Sequence, residues 1–228
     1  MKRSIGLTLL LFFVYAPAVL AQTALSTNAN KAVQITEARQ ANAALMHQYT
    51  WNCRTEILEQ GQVKDTRIEL VNYAPDGQLQ RSLINDQSAS LPRGFLRRAV
   101  AENERKKLEE YLTGLRGLVE QYTLPTTGKV LDFMMAAKPM GPDANGLLQM
   151  TGSSVVLPGD SLTLWVNAYT RHVARIQVNT TFQGDPVQLD ATFNKLPSGL
   201  NYMAYAEATV PAKQLSVQVQ NFNYTRPN

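Results

Sequence analysis

From Leu147 onward the chain is a succession of short segments in which apolar and polar residues alternate, interrupted by turn-forming residues about every ten positions. Leu162, Leu164 and Val166 oppose Ser161, Thr163 and Trp165, and Leu215, Val217 and Val219 oppose Ser216, Gln218 and Gln220. Period two places each set on one face of a strand, so one face of the resulting sheet is buried and the other is wetter. Pro158-Gly159-Asp160, Gly184-Asp185, Pro197-Ser198-Gly199 and Pro211-Ala212 separate these segments. Connections that short join antiparallel strands and cannot cross over between parallel ones. The pattern predicts strands at Leu147 to Met150, Ser153 to Leu157, Ser161 to Tyr169, Arg171 to Phe182, Pro186 to Asn194, Leu200 to Val210 and Gln214 to Tyr224.

The first half reads differently. Ile35, Ala38, Ala41 and Leu45 recur at helical spacing between Val33 and Tyr49, in an Ala-rich segment. Tyr49 to Leu58 alternates as a strand, Gly61 turns the chain, and Val63 to Tyr73 returns as a second strand. Pro75-Asp76-Gly77 supplies a fixed dihedral followed by a residue tolerant of positive φ, and Gln78 to Ile84 makes a third strand. After a polar loop from Asn85 to Gly94, the residues Leu108, Tyr111, Leu112, Leu115, Leu118, Val119 and Tyr122 fall at steps of three and four. That is the strongest helical signal in the chain. Its first half interleaves Arg97, Arg98, Arg105, Lys106 and Lys107 with Glu102, Glu104, Glu109 and Glu110. The mixture reads as a solvated, salt-bridged face, and the acids weigh against a basic patch for phosphate or lipid head groups. Pro125, Thr126 and Gly128 break the pattern before a second helix from Lys129 to Ala137, whose apolar residues wrap more than one face, and Pro139 to Gly146 is a loop. The order predicts an α+β domain with one large, curved antiparallel sheet and helices packed on its concave face.

Met1, Lys2 and Arg3, then the apolar run from Ile5 to Tyr15 and the small residues around Ala21, have the form of an export signal cleaved after Ala21. The apolar run is shorter than the roughly 20 residues a membrane-spanning helix needs. Residues 1–21 are thus the signal peptide, residues 22–32 a flexible mature terminus, and residues 33–228 a single domain of a periplasmic or secreted protein. Of 228 residues 44% are hydrophobic and 18% charged, enough to bury a sizeable core. Removing Lys2 and Arg3 from the 22 basic residues leaves 20 against 18 acidic ones, a balance that gives no reason to expect nucleic acid. Cys53 is the single cysteine, so no internal disulfide can form, and it reads as a small buried hydrophobe.

Catalytic chemistry is thinly supplied. His47, His172 and Cys53 lie far apart with no metal-ligand spacing, no glycine-rich phosphate loop precedes a helix, and Gly152-Ser153-Ser154 is not a nucleophile elbow. Glu56 and Glu69 on neighbouring strands are a carboxylate pair that could serve a hydrolase, and they equally suit ordinary charge pairing with Arg54 and Arg67. No catalytic, cofactor or metal residue is assigned, and binding is favoured over enzymatic activity.

The succession of helix, meander, helices and second meander over residues 33 to 224 resembles the LolA-like fold of outer-membrane lipoprotein carriers and related periplasmic sensor domains. Gln48-Tyr49-Thr50-Trp51, Arg54-Thr55-Glu56, the Asp76-Gly77 turn, Pro158-Gly159-Asp160-Ser161 and Leu196-Pro197-Ser198-Gly199 before Asn201-Tyr202 also resemble a group of uncharacterised exported bacterial proteins. The resemblance implies an incomplete barrel covered by helices, with acyl chains held between the layers. Trp51 and Trp165 from the sheet, with Leu115, Leu118, Phe133 and Met134 from the helices, are the candidate lining of such a cavity; plain core packing is the competing role for all six. The expected function is a soluble, monomeric periplasmic binding protein that carries or senses a lipid, an acyl chain or a lipoprotein, with no transmembrane segment in the mature chain. The alternatives are a structural or protein-interaction domain of the cell envelope, and a hydrolase without a recognisable motif.

Overall fold

The structure, a computed structural model, describes residues 17–88, 95–123 and 127–226. The charged and apolar parts of the export signal, the end of the polar loop before Phe95 and the Pro125-Thr126 break lie outside the described residues. Helix α1 spans Pro17–Met46 and is followed by strands β1 (Thr50–Glu59), β2 (Gln62–Tyr73) and β3 (Leu79–Ser88). Helices α2 (Phe95–Thr123) and α3 (Thr127–Ala136) come next. The remaining strands are β4 (Lys138–Met140), β5 (Leu147–Ser153), β6 (Ser161–Asn167), β7 (Val173–Phe182), β8 (Asp185–Lys195), β9 (Asn201–Val210) and β10 (Leu215–Thr225).

All ten strands form one sheet in the order β3-β2-β1-β10-β9-β8-β7-β6-β5-β4, with every pairing antiparallel. It consists of two meanders joined where β1 meets β10, from Thr50 opposite Thr225 to Glu59 opposite Leu215. The sheet curves without closing, because β3 and β4 remain as edges, and α2 and α3 are the connection between them. The α+β arrangement read from element order is therefore the observed one.

Two local differences have clear causes. The first helix reaches back to Pro17, so residues 22–32, expected to be flexible, fall within a helical span. The span is rich in Ala, with several Leu and Gln, residues that favour helix. Of the strand expected from Ser153 to Leu157, Ser153 ends β5 and the rest is a loop wrapped around Asp160, whose carboxylate accepts the backbone N–H of Val155 at 2.7 Å and those of Val156 and Leu157 at 2.8 Å. A side chain that takes three successive N–H groups leaves none for a neighbouring strand. The segment read as a loop after Pro139 also contributes the short edge strand β4.

The concave face is filled unevenly. Over β5 to β9, Ile35 of α1, Leu118 and Tyr122 of α2, and Val130, Phe133 and Met134 of α3 pack against Met150, Leu162, Leu164, Val166, Ile176, Val178 and Leu189. Helix α1 lies along α3 and is tied to the start of β9 by Asn42, whose amide donates to the carbonyl of Asn201 at 2.7 Å and accepts its N–H at 2.7 Å. Tyr111 and Leu115 of α2 meet Val187, Val210 and Leu215 in a smaller cluster, and Trp51, Cys53 and Val71 form a third.

Candidate functional site

Where α2 passes over β10, β1 and β2, the two layers do not close. A cavity of about 410 Å³ lies between them. Its floor is read directly from sheet register: Cys53, Thr55 and Ile57 alternate along β1 on the concave face, and Thr55 and Ile57 stand opposite Val219 and Val217 of β10. On the other side the same three residues stand opposite Glu69, Arg67 and Asp65 of β2. Each transverse row thus runs from a neutral residue on β10 to a charge on β2, about 10 Å across two strand spacings. The roof is α2, where Glu109, Leu112, Thr113 and Arg116 recur at helical spacing, with Leu115 beside them.

The charges are paired within one element or across to the neighbouring strand. Arg67 Nη2 lies 3.1 Å from Asp65 Oδ2, and Arg81 of β3 reaches across to Glu69 Oε2 at 2.8 Å. The same nitrogen of Arg81 lies 3.6 Å from Cys53 Sγ. Burial lowers the pKa of Arg81, and the pull of Cys53 and Glu69 outweighs it, so the guanidinium is held charged. On α2, Glu109 accepts from Arg105 Nε at 3.1 Å, and Arg116 Nε donates to Glu120 at 3.1 Å. These are the spaced ion pairs expected of a solvated face, and they leave Leu112 and Leu115 directed to the cavity and the small cluster.

The six residues expected to line one cavity are not brought together. Leu115 lines it. Leu118, Phe133 and Met134 belong to the filled core over β5 to β9, and Trp51 lies in the third cluster, its ring stacked on Tyr224 at 5.5 Å. Trp165 is corrected outright: its neighbours Leu164 and Val166 are buried on the concave side, which puts Trp165 on the convex face, where Arg175 sits 5.3 Å from its ring centroid. Period two already specified that outcome.

Sequence reasoning missed the polar wall of Asp65, Arg67, Glu69 and Arg81. The available signal was alternation in β2, where Asp65, Arg67 and Glu69 share the face of the buried Val71, opposite which Arg81 stands on β3. Glu56 and Glu69 do not converge as a hydrolytic pair, because Glu56 shares the opposite face with Arg54, to which it is ion-paired, while Glu69 faces the cavity. Among the described residues no group of three or more His, Cys, Asp or Glu side chains could hold a metal ion. No described helix is long and apolar enough to cross a membrane.

No family model and no curated protein matches the chain. Among solved structures it is similar to a DUF1329 family protein from Desulfovibrio piger ATCC 29098, with 9% identity, a TM-score of 0.39, and coverage of 89% of this chain and 92% of that one. It is also similar to a LolA superfamily protein from Nitrosomonas europaea, with 10% identity, a TM-score of 0.36, and coverage of 80% of this chain and 87% of that one. Both likenesses are of overall shape.

Proposed function

We propose that this chain is an exported binding protein that carries or senses a lipid or acyl chain, held between α2 and the β10-β1-β2 part of the sheet. The observation that carries the reading is the contrast within one concave face: the β5 to β9 half is filled by α1, α3 and the end of α2, while the other half keeps about 410 Å³. That volume falls within the roughly 300–1,000 Å³ of small-molecule sites. Ile57, Leu112, Leu115, Val217 and Val219 offer apolar surface whose removal from water yields about 25 cal/mol per Å². A shape-filled structural domain has no need of the hollow. Export rests on the n-region, the apolar run and Ala21 in the sequence, and mass spectrometry of the mature chain checks it: a mass beginning at Gln22 is expected, and a retained Met1 overturns it.

Native mass spectrometry after gentle purification, followed by lipid extraction, tests the ligand. Leu112→Trp fills the cavity from the roof without entering the core that holds Leu118 and Met134, so it is expected to displace a co-purified lipid and leave the fold intact. A ligand-free chain that also ignores hydrophobic fluorophores would return the cavity to plain packing.

A further inference from the structure

The cavity is not uniform, and its direction constrains what fits. Val217, Val219, Ile57 and Leu115 gather at the β10 side, whereas Asp65, Arg67, Glu69 and Arg81 line the β2–β3 side, faced by Glu109 and Arg116 of the roof. An occupant that is apolar throughout would strand that wall of charge in a desolvated contact. Each of the three carboxylates already has an arginine: Asp65 has Arg67, Glu69 has Arg81 and Glu109 has Arg105. The guanidiniums are less fully used, since each carries five N–H groups. Arg67 meets Asp65 through Nη2, and its Nε is buried with no hydrogen-bond partner among the described residues. A buried donor left unmade is unfavourable, and a small rotation of the guanidinium onto a second acceptor relieves it.

We infer that the occupant is a single-chain amphiphile whose head carries an anionic oxygen, a carboxylate or a phosphate, and that Arg67 of β2 and Arg116 of α2 hold this head while the chain runs toward β10. The inference rests on the acyl-chain reading above and names the ligand class for that site. A cationic head would find its carboxylates occupied. An anionic one gives the Arg67 Nε the acceptor it lacks and adds a charge-assisted bond to Arg116 beside its Glu120 partner, the geometry in which arginine outperforms lysine.

Dodecanoate, dodecyl phosphate and dodecanol share one chain and differ in head, so displacement of a hydrophobic fluorophore by each separates head from tail. The two anions are expected to bind at least about tenfold tighter than the alcohol, in line with the strength of a hydrogen bond to a charged group. Arg67→Gln is expected to erase that preference while leaving dodecanol unchanged. The pair Asp65→Asn with Arg67→Gln gives the same result without an unpaired carboxylate, should Arg67→Gln alone fold poorly. A preference for one anion over the other identifies the head. Equal binding of acid and alcohol by the unaltered protein, or a preference that survives both variants, overturns the inference while the acyl-chain reading stands. Failure of all three to bind, or binding that Leu112→Trp does not disturb, overturns both.

Discussion

Asp160 shows how much one carboxylate can organise. It is 2% exposed, yet it accepts three backbone N–H groups and the hydroxyl of Tyr122 at 2.7 Å, and that hydroxyl lies 3.0 Å from Thr180 Oγ1. One residue thereby ties the last turns of α2 to the loop before β6 and to β7. Burial pushes its carboxyl up, but the bonds from Leu157, Tyr122, Val156 and Val155 outweigh burial and hold it below the ordinary carboxylate value. Because the folded state prefers the ionised form, the stabilisation is complete above the unfolded value near 3.9 and is lost as pH falls through the lower folded value. Asp160→Ala, which removes every acceptor, is expected to lose roughly 2–4 kcal/mol at neutral pH. Denaturant titrations of both proteins from pH 7 downward check it: the gap should shrink below about pH 4, and a gap that is constant with pH would assign the loss to packing. Tyr122→Phe keeps the ring in the core and should show a smaller loss with no comparable pH dependence between 4 and 7, because the burial that raises its hydroxyl pKa leaves it protonated there.

At the scale of an element, α2 is fitted to the sheet at one glycine and merely tolerates another. A Cβ on Gly114 would stand 2.6 Å from Phe182 Cζ, and Phe182 is itself held edge-on against Tyr111 at 5.1 Å, so the ring has little freedom to yield. A Cβ on Gly117 meets nothing within 4 Å. Gly117→Ala should therefore stabilise the helix by about 0.5–1 kcal/mol, whereas Gly114→Ala should forfeit that gain to the clash, and Gly114→Val should lower the melting temperature further. Thermal unfolding of the three variants decides it; equal gains for both alanines would show that α2 does not approach the sheet this closely. The helix itself was legible in the sequence, because seven apolar residues at steps of three and four admit no other period. The meanders were legible for the same kind of reason, as alternation bounded by turn residues. The loop at residues 154–160 was not, since Val155, Val156 and Leu157 look like strand until the reach of Asp160 is known. The cavity was least legible of all. Periodicity says that Leu112, Leu115 and Leu118 share a stripe, but not that the sheet beneath Leu118 is filled while that near Leu112 is hollow; the path of the helix across the sheet decides that.

For the whole molecule, the sheet divides into a filled part, β5 to β9, and a hollow part, β10, β1 and β2. Strands β6 to β9 are interior strands covered by α1, α3 and the end of α2, and Val166, Val178, Ala191 and Val187 are 0–1% exposed. Strands β2 and β3 form the far edge, with the cavity rather than a helix core against much of β2, and Leu79, Leu83 and Ile84 of β3 are 40%, 59% and 57% exposed. Local opening is easiest where few apolar contacts are lost, so the two halves should exchange amide hydrogens at different rates despite belonging to one sheet. Hydrogen exchange followed by mass spectrometry is expected to give the slowest peptides in β7 to β9 and faster ones in β2 and β3. A ligand that binds the cavity stabilises only the states in which it is formed. Dodecanoate should therefore slow exchange in β1, β2 and the middle of α2, around Leu112 and Arg116, and leave β7 and β8 unchanged because no ligand reaches them. Uniform slowing over all ten strands would mean that the sheet opens as a single unit, and slowing confined to α3 and β5 would place the ligand in the half that α1 and α3 cover.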